Sequence, residues 1–237
     1  MPAKVLIILP TYNEIENLPR MVEALEALAL GLDILVVDDN SPDGTGRWVK
    51  EKQPEKKHLH LIERSGKLGL GSAYVRGFRF ALEKGYEVVF EMDADFSHDP
   101  SYVSVFLEAI RDQDLILGSR YVHGITVVNW PMGRLLLSWF ANRYARWVTR
   151  MPIQDLTGGF KCFRTEALRK LNLDRIHSGG YSFQIEVSYK LWKKGCRIRE
   201  IPIIFKDRVA GVSKMSGKIV QEALLLLFRL RFLGVED

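Results

Sequence analysis

Disulfides, long apolar runs, repeats and low-complexity tracts are all missing from this chain of 237 residues. Its two cysteines, Cys162 and Cys196, match no metal-binding spacing and are too few for a disulfide framework, as in a reducing compartment. The most apolar late stretch, 223–228, is closed by Arg229 and Arg231, whereas a spanning helix needs about 20 apolar residues. Near the start, the run Val5-Leu6-Ile7-Ile8-Leu9 breaks at Pro10, too short for a secretory signal and without a small-residue cleavage site. No segment is therefore expected to cross a membrane. The expected location is cytoplasmic, peripheral on the cytoplasmic face of a membrane. Neither sign of charge dominates: 34 Lys and Arg against 29 Asp and Glu leave +5. That excess permits an anionic partner without naming one, and no nucleic acid is expected.

Apolar residues make up 47% and charged residues 27% of the chain, enough to bury a core without staples and ordinary for a globular protein. Short apolar runs at 5–9, 34–37, 59–62, 88–92 and 115–117 are largely continuous, as in strands covered on both faces. Between them the pattern predicts helices near 16–28, 44–51, 71–84 and 100–111. Strands alternating with helices predict an α/β protein with a mostly parallel, Rossmann-like sheet and helices on both faces. In such sheets ligands bind beyond the carboxyl ends of the strands. Polar residues follow the strands at those ends: Pro10-Thr11-Tyr12-Asn13-Glu14, Asp38-Asp39-Asn40-Ser41, Asp93-Ala94-Asp95 and Gly118-Ser119-Arg120.

Further on, a helix is expected at 131–150, mixing Trp139, Phe140, Tyr144 and Trp147 with Arg134, Arg143, Arg146 and Arg150. That composition suits a helix lying in a lipid headgroup layer. Strands are expected at 158–163 and 198–205 with a helix at 183–194 between them. A basic loop at 207–217 precedes a helix at 218–233, which either packs on the sheet or meets a membrane. One domain, 1–237, is the economical reading, with two halves over 1–119 and 120–205 and the loop and amphipathic helix over 206–237. Gly66-Lys67-Leu68-Gly69-Leu70-Gly71 follows the third strand rather than the first and does not fit G-x-G-x-x-G, which excludes a nicotinamide dehydrogenase.

Asp93 and Asp95, separated by one small residue at the end of a buried strand, suit a shared divalent cation such as Mg²⁺ or Mn²⁺. His98 reads as a surface or capping residue rather than a ligand. Asp38 to Thr45 reads equally as a turn with a helix N-cap or as a ligand-binding segment. Two adjacent carboxylates atop an apolar strand repel each other, and hydrogen bonds from a base or ribose would relieve them.

These motifs occur in order with Val37, Gly118-Ser119-Arg120-Tyr121, Asp155-Leu156-Thr157-Gly158-Gly159-Phe160, Ser182-Phe183-Gln184-Ile185-Glu186, and Asp207-Arg208 through Lys214. Over about 4–220 the chain resembles the family 2 glycosyltransferases, and within them the polyprenol-phosphate (dolichol-phosphate) mannosyltransferases of the short type without transmembrane helices. The resemblance implies the glycosyltransferase A fold, a GDP-mannose donor, a nucleotide-sugar-binding half over about 1–119 and an acceptor half over 120–205. It places Pro10, Tyr12 and Glu14 at the nucleoside, Val37 and Asp39 beside the base, and Asp93 and Ala94 near the ribose and diphosphate. Asp95, with Asp93, would hold the metal. Ser97 stands where some relatives carry a metal-binding Gln. Arg120, Arg208 and Lys214 would surround the phosphates, with Arg120 and Arg208 on the acceptor and Arg208 and Lys214 also on the donor.

The implied reaction is inverting transfer of mannose to polyprenol phosphate, with Asp95, Arg120 and Arg208 as its catalytic residues. A phosphate acceptor is largely dianionic near neutrality and needs little help from a base. Such an enzyme meets its lipid at a membrane surface or recruits a small membrane protein. The alternatives are a UDP-glucose-dependent polyprenyl-phosphate glucosyltransferase and a non-catalytic nucleotide-sugar or lipid-phosphate binding module. Retention of Asp93, Asp95, Arg120 and Arg208 argues against the second.

Overall fold

The computed structural model describes residues 3–176, 178–206, 227, 228 and 231. Arg208, Lys214, the expected loop at 207–217 and most of the expected helix at 218–233 lie outside those residues. The strands are β1 (Val5–Thr11), β2 (Asp33–Asp38), β3 (Leu59–Glu63), β4 (Val88–Glu91), β5 (Leu115–Ser119), β6 (Val127–Val128), β7 (Lys161–Arg164), β8 (Ile198–Pro202) and β9 (Phe205–Lys206). The helices are α1 (Leu18–Glu26), α2 (Thr45–Lys52), α3 (Leu70–Glu83), α4 (Tyr102–Ala109), α5 (Met132–Thr149), α6 (Thr165–Arg169) and α7 (Gly180–Lys193).

Seven strands form one sheet in the order β3-β2-β1-β4-β7-β5-β8, and β6 pairs with β9 separately. All neighbours in the large sheet are parallel except β7, which runs antiparallel between β4 and β5. The carboxyl ends of β1, β2, β3, β4 and β5 thus share one edge, and β7 brings its amino end, just after Gly158-Gly159-Phe160, to the same edge.

The continuous apolar runs have a direct structural cause. Along β1, Leu6 and Ile8 pack into one core with Phe78 of α3 and Phe183 of α7, while Ile7 and Leu9 pack into the other with Met21 of α1 and Phe106 of α4. A strand covered on both faces has no polar side to alternate with. Each such Leu or Ile contributes about 1.5–3 kcal/mol on burial. Leu18, Met21, Val22 and Leu25 make the single buried stripe of α1, spaced as helix neighbours on one face. Gly77 of α3 lets that helix approach β1 closely: a Cβ there would stand 2.6 Å from Ile8 Cδ1.

The expected strand at 198–205 proves to be two, because the ladder with β5 ends at Pro202 and the chain then crosses to β6. The expected strand at 158–163 begins only at Lys161. Helix α4 is shorter than the expected 100–111 and closes in a 3₁₀ turn at Ile110–Asp112. The two-residue strands and α6 carry too little periodicity to be read from sequence.

Candidate active site

Three loops at the shared edge are laced together by short polar side chains. Thr11 Oγ1 donates to Asp38 Oδ1 at 2.8 Å, and Ser41 reaches Asp38 through its backbone N–H at 2.8 Å and its hydroxyl at 2.6 Å. Ser41 Oγ accepts the Asn13 N–H, Thr45 Oγ1 the Glu14 N–H and Asp43 Oδ2 the Ile15 N–H, at 2.9, 3.0 and 3.0 Å. Burial would raise the Asp43 carboxyl, but hydrogen bonds from Thr45 and Ile15 outweigh it and hold the pKa below the usual value. The Pro10–Glu14 turn and the Asp38–Thr45 turn are therefore one assembled surface, with Asn13 and Asn40 at positive φ.

The adjacent carboxylates Asp38 and Asp39 are tolerated because they point to different partners. Asp38 takes the Thr11 and Ser41 donors and is structural. Asp39 takes the Arg64 guanidinium, and its Oδ2 accepts the Leu68 N–H at 3.1 Å. The Arg64 side chain is 7% exposed and also donates to Ser72 Oγ and Gly69 O. Sequence reasoning missed Arg64. Its position directly after β3, at the same edge as Asp39, is the signal that would have found it. Lys67, in the loop that follows, places its ammonium 4.2 Å from the ring centre of half-exposed Tyr12.

At the end of β4 the Asp93-Ala94-Asp95 segment is held from beneath. His98 is buried rather than on the surface, and its Nδ1 accepts the Asp93 N–H at 2.9 Å while its ring stacks on Phe160. Asp95 is 5% exposed, and its Oδ1 accepts the Ser97 N–H at 3.0 Å. Tyr74 Oη lies 3.5 Å from Asp93 Oδ1. Burial, then the negative charges of Asp93, Glu91 and Asp95, push the Tyr74 phenol well above its usual range, so it stays a neutral donor.

Arg120, expected as a phosphate ligand, is 4% exposed and bound to Asp155. Its Nε and Nη2 donate to Asp155 Oδ2 and Oδ1 at 2.6 Å each, its backbone N–H reaches Oδ2 at 2.9 Å, and Nη2 also reaches Thr157 Oγ1 at 2.8 Å. Burial disfavours the charged guanidinium, but the Asp155 carboxylate more than compensates and keeps it ionised. The ring centres of Tyr121, Trp130 and Phe205 lie 5.4–5.5 Å from its Cζ. Asn142 of α5 clamps the 155–157 turn by accepting the Leu156 and Thr157 N–H groups. The arginine is thus the centre of a fixed polar and aromatic corner.

Among the described residues no group of three or more His, Cys, Asp and Glu side chains could hold a metal ion. The pair Asp93 and Asp95 still fits a hard divalent cation. Two carboxylate ligands, with the rest of the shell from water and substrate phosphates, is a common arrangement for Mg²⁺. Ser97 Oγ, buried without a hydrogen-bond partner beside Asp95, adds an uncommitted oxygen at that place.

A mostly parallel sheet with a paired-carboxylate turn at its carboxyl edge is the glycosyltransferase A fold. A glucosyl-3-phosphoglycerate synthase from Mycobacterium tuberculosis, solved with Mn²⁺, UDP and phosphoglyceric acid, superposes with TM-score 0.70 at 16% identity, covering 99% of this chain and 80% of that one. A mannosyltransferase from Pyrobaculum calidifontis, solved with GDP-Man and Mn²⁺, gives 0.67 at 19% identity over 100% of this chain and 66% of that one. The model of Glycosyl transferase family 2 matches residues 6–171, and the chain belongs to that family. It is 46% identical over 226 residues to an undecaprenyl-phosphate mannosyltransferase of Micrococcus luteus, covering 95% of this chain and 93% of the relative. With a polyprenol monophosphomannose synthase of Mycolicibacterium smegmatis it shares 45% over 223 residues, covering 93% and 84%. The resemblance to the polyprenol-phosphate mannosyltransferase branch is borne out.

Proposed function

We propose that this chain transfers mannose from GDP-mannose to the phosphate of a polyprenol, with inversion at the anomeric carbon, giving polyprenyl phosphate β-mannose and GDP. The near-full-length identity of 46% and 45% to two enzymes whose names state polyprenol-phosphate mannosylation carries this reading. The geometry supports it. The donor half runs from the Pro10–Glu14 and Val37–Asp39 surface, where the nucleoside rests, to Asp93, Ala94 and Asp95, where the diphosphate lies.

Asp93 and Asp95 would hold Mg²⁺ or Mn²⁺. When bound, that ion supplies Lewis-acid neutralisation of the charge gathering on the departing GDP. His98, by accepting the Asp93 backbone N–H, fixes the turn that carries the pair, and the Ser97 N–H holds the Asp95 carboxylate in place through the step. Asp155 holds Arg120 as a fixed cation on the acceptor side, where permanent charge lets two anions approach each other. Arg208 and Lys214 join this role as further phosphate-binding cations. The dianionic acceptor attacks without a protein base.

The acceptor is a lipid, and α5 has the surface to meet one. Only Asn142, Ala145 and Thr149 of this helix are buried, whereas Phe140 is 60% and Trp147 76% exposed. Arg143, Arg146, Arg150 and Arg231 line a groove with Tyr144, Trp147 and Phe228. Aromatics and arginines together suit an anionic headgroup layer. No described helix is long and apolar enough to cross a membrane, so attachment through α5 is peripheral, alone or beside a small membrane protein.

The test is transfer by the purified protein in detergent with Mn²⁺ or Mg²⁺, from labelled GDP-mannose and separately from UDP-glucose, to polyprenyl phosphate. Lipid-extractable label from GDP-mannose alone, lost with EDTA, is expected. Label from UDP-glucose instead would overturn the donor. Nucleotide-sugar binding without transfer to lipid would overturn the reaction.

A further inference from the structure

Arg64 follows β3 directly and is held by both its backbone and its side chain. Its backbone N–H donates to Asp38 O at 2.8 Å. Its guanidinium gives Nε and Nη2 to Asp39 Oδ1, Nη2 also to Gly69 O at 2.9 Å, and Nη1 to Ser72 Oγ at 2.6 Å. Four of its five N–H groups are therefore committed, and they tie the end of β2 to the start of α3.

Asp39 is filled almost as completely. A carboxylate offers about four acceptor sites. Among the described residues, two N–H groups of Arg64 occupy Oδ1 and the Leu68 N–H occupies one site on Oδ2 at 3.1 Å. One site remains, and it is on Oδ2. The Asp39 N–H itself donates to Thr11 O at 3.0 Å, so neither the backbone nor the carboxylate can turn without breaking a bond. The side chains of the pair are 7% and 8% exposed, whereas Leu68, Lys67 and the Tyr12 ring beneath the Lys67 ammonium are exposed.

A free carboxylate rotates and accepts from any donor that reaches it. One whose other sites are filled accepts at a single place and in a fixed direction. A base that brings a ring N–H to that place gains a charge-assisted hydrogen bond. A base that brings a ring lone pair meets the negative oxygen with its own electrons, and the site rejects it. Guanine carries a proton on N1, where adenine carries a lone pair.

We propose that Arg64 is a positioning residue for recognition of the donor base: by saturating Asp39 Oδ1 it leaves Oδ2 as the acceptor that takes the ring N–H of guanine. This assignment rests on the donor reading above, and Arg64 acts in it only through Asp39. Lysine would supply the charge at position 64 but not the planar fork that reaches Asp39, Gly69 and Ser72 together.

The experiment measures binding of GDP and of ADP to the full chain with Mn²⁺, without lipid, for wild type, Arg64→Lys and Arg64→Gln. The readout is the ratio of the two dissociation constants, in which the ribose and diphosphate contacts common to both nucleotides cancel. Wild type is expected to favour GDP. Both variants are expected to bind ADP as wild type does and GDP about tenfold more weakly, the loss of one well-made hydrogen bond. Equal weakening of GDP and ADP, with the ratio unchanged, marks a merely structural arginine and overturns the assignment. Arg64→Lys keeps a cation beside buried Asp39 and carries the test if Arg64→Gln fails to fold. Equal binding of GDP and ADP by wild type overturns base recognition at Asp39 and the Arg64 assignment with it. No saturable GDP binding by wild type overturns the donor reading as well.

Discussion

Glu91 and Lys161 are direct cross-strand partners in the antiparallel β4–β7 pair, both fully buried, and Glu91 stands two residues before Asp93. Lys161 Nζ donates to Gln184 O at 2.8 Å and to Ser188 Oγ at 3.0 Å. Burial raises the Glu91 carboxyl to about 7 against the pull of Lys161 and Gln184. Burial also lowers Lys161 to about 8 against the pull of Glu91 and Asp155. The lysine thus feels a carboxylate of the donor side and one of the acceptor side together.

Stability should follow this pair as pH changes. Between 4.5 and about 7 the folded chain holds a proton on Glu91 that the unfolded chain has lost. That contribution is full below 4.5 and disappears as pH rises through about 7. Between about 8 and 10.5 the unfolded chain binds the extra proton, on Lys161, so stability climbs over that window. Thermal melts of the metal-free protein should therefore show the pair's contribution at its lowest between the two windows. The double variant Glu91→Gln, Lys161→Met should lack both slopes. A wild-type-minus-variant difference that stays flat from pH 4.5 to 10.5 would refute the assignment.

The Arg120–Asp155 pair predicts a different loss. Removing one partner of a buried, hydrogen-bonded ion pair strands the other charge and costs about 3–5 kcal/mol. Arg120→Ala and Asp155→Ala should each lower stability by that order in denaturant titrations. Arg120→Lys should fall between, because it keeps charge but loses the two-pronged geometry. A melt of Arg120→Ala matching wild type would mean that the guanidinium is not committed to Asp155 in solution.

How much of this was readable in the sequence depends on the range of each interaction. Strands β1 to β5 showed themselves because burial on both faces forces unbroken apolar runs, and the site edge followed from polar residues at their ends. The partners of those residues did not show. Arg64 meets Asp39 from 25 positions away, and Arg120 meets Asp155 from 35. Pairing across such distances leaves no local periodicity. It also gave each of the two adjacent carboxylates, Asp38 and Asp39, its own partners, and moved Arg120 from an open cation to an anchored one. His98 was misplaced for a similar reason, since its burial comes from stacking on Phe160 across the fold.

Asp95→Ala should separate chemistry from folding. Asp95 accepts the Ser97 N–H, and losing a hydrogen bond of that kind costs about 1–3 kcal/mol, well short of unfolding the chain. Mn²⁺-dependent nucleotide binding and turnover should vanish while the far-UV spectrum stays native. Activity at the wild-type level would remove Asp95 from the metal site.

Attachment through α5 predicts both an apolar and an ionic component. The full chain should float with anionic vesicles at low salt. Trp147→Ala with Phe140→Ala should reduce the floated fraction at every salt concentration. Raising salt from about 0.1 to 1 M, which shortens the screening length from about 10 to 3 Å, should weaken mainly the arginine part. Absence of floating at low salt would leave α5 without a surface role.

Gly77 offers a prediction whose sign reverses with context. Its Cβ would lie 2.6, 2.8 and 3.0 Å from Cδ1, Cγ2 and Cγ1 of Ile8, a fully buried side chain. Gly77→Ala should therefore cost about 1–3 kcal/mol from overpacking, even though alanine is the better helix former by about 1 kcal/mol. Ile8→Ala removes all three clashing atoms and alone should cost about 2–5 kcal/mol. In that background the clash is gone and only the helix preference and partial filling of the cavity remain, so Gly77→Ala should stabilise. Denaturant titrations of the four proteins in this cycle read the coupling directly. The same sign for Gly77→Ala in both backgrounds would show that α3 is not held against β1 at this point, and with it would go the close approach that seats Tyr74 beneath Asp93.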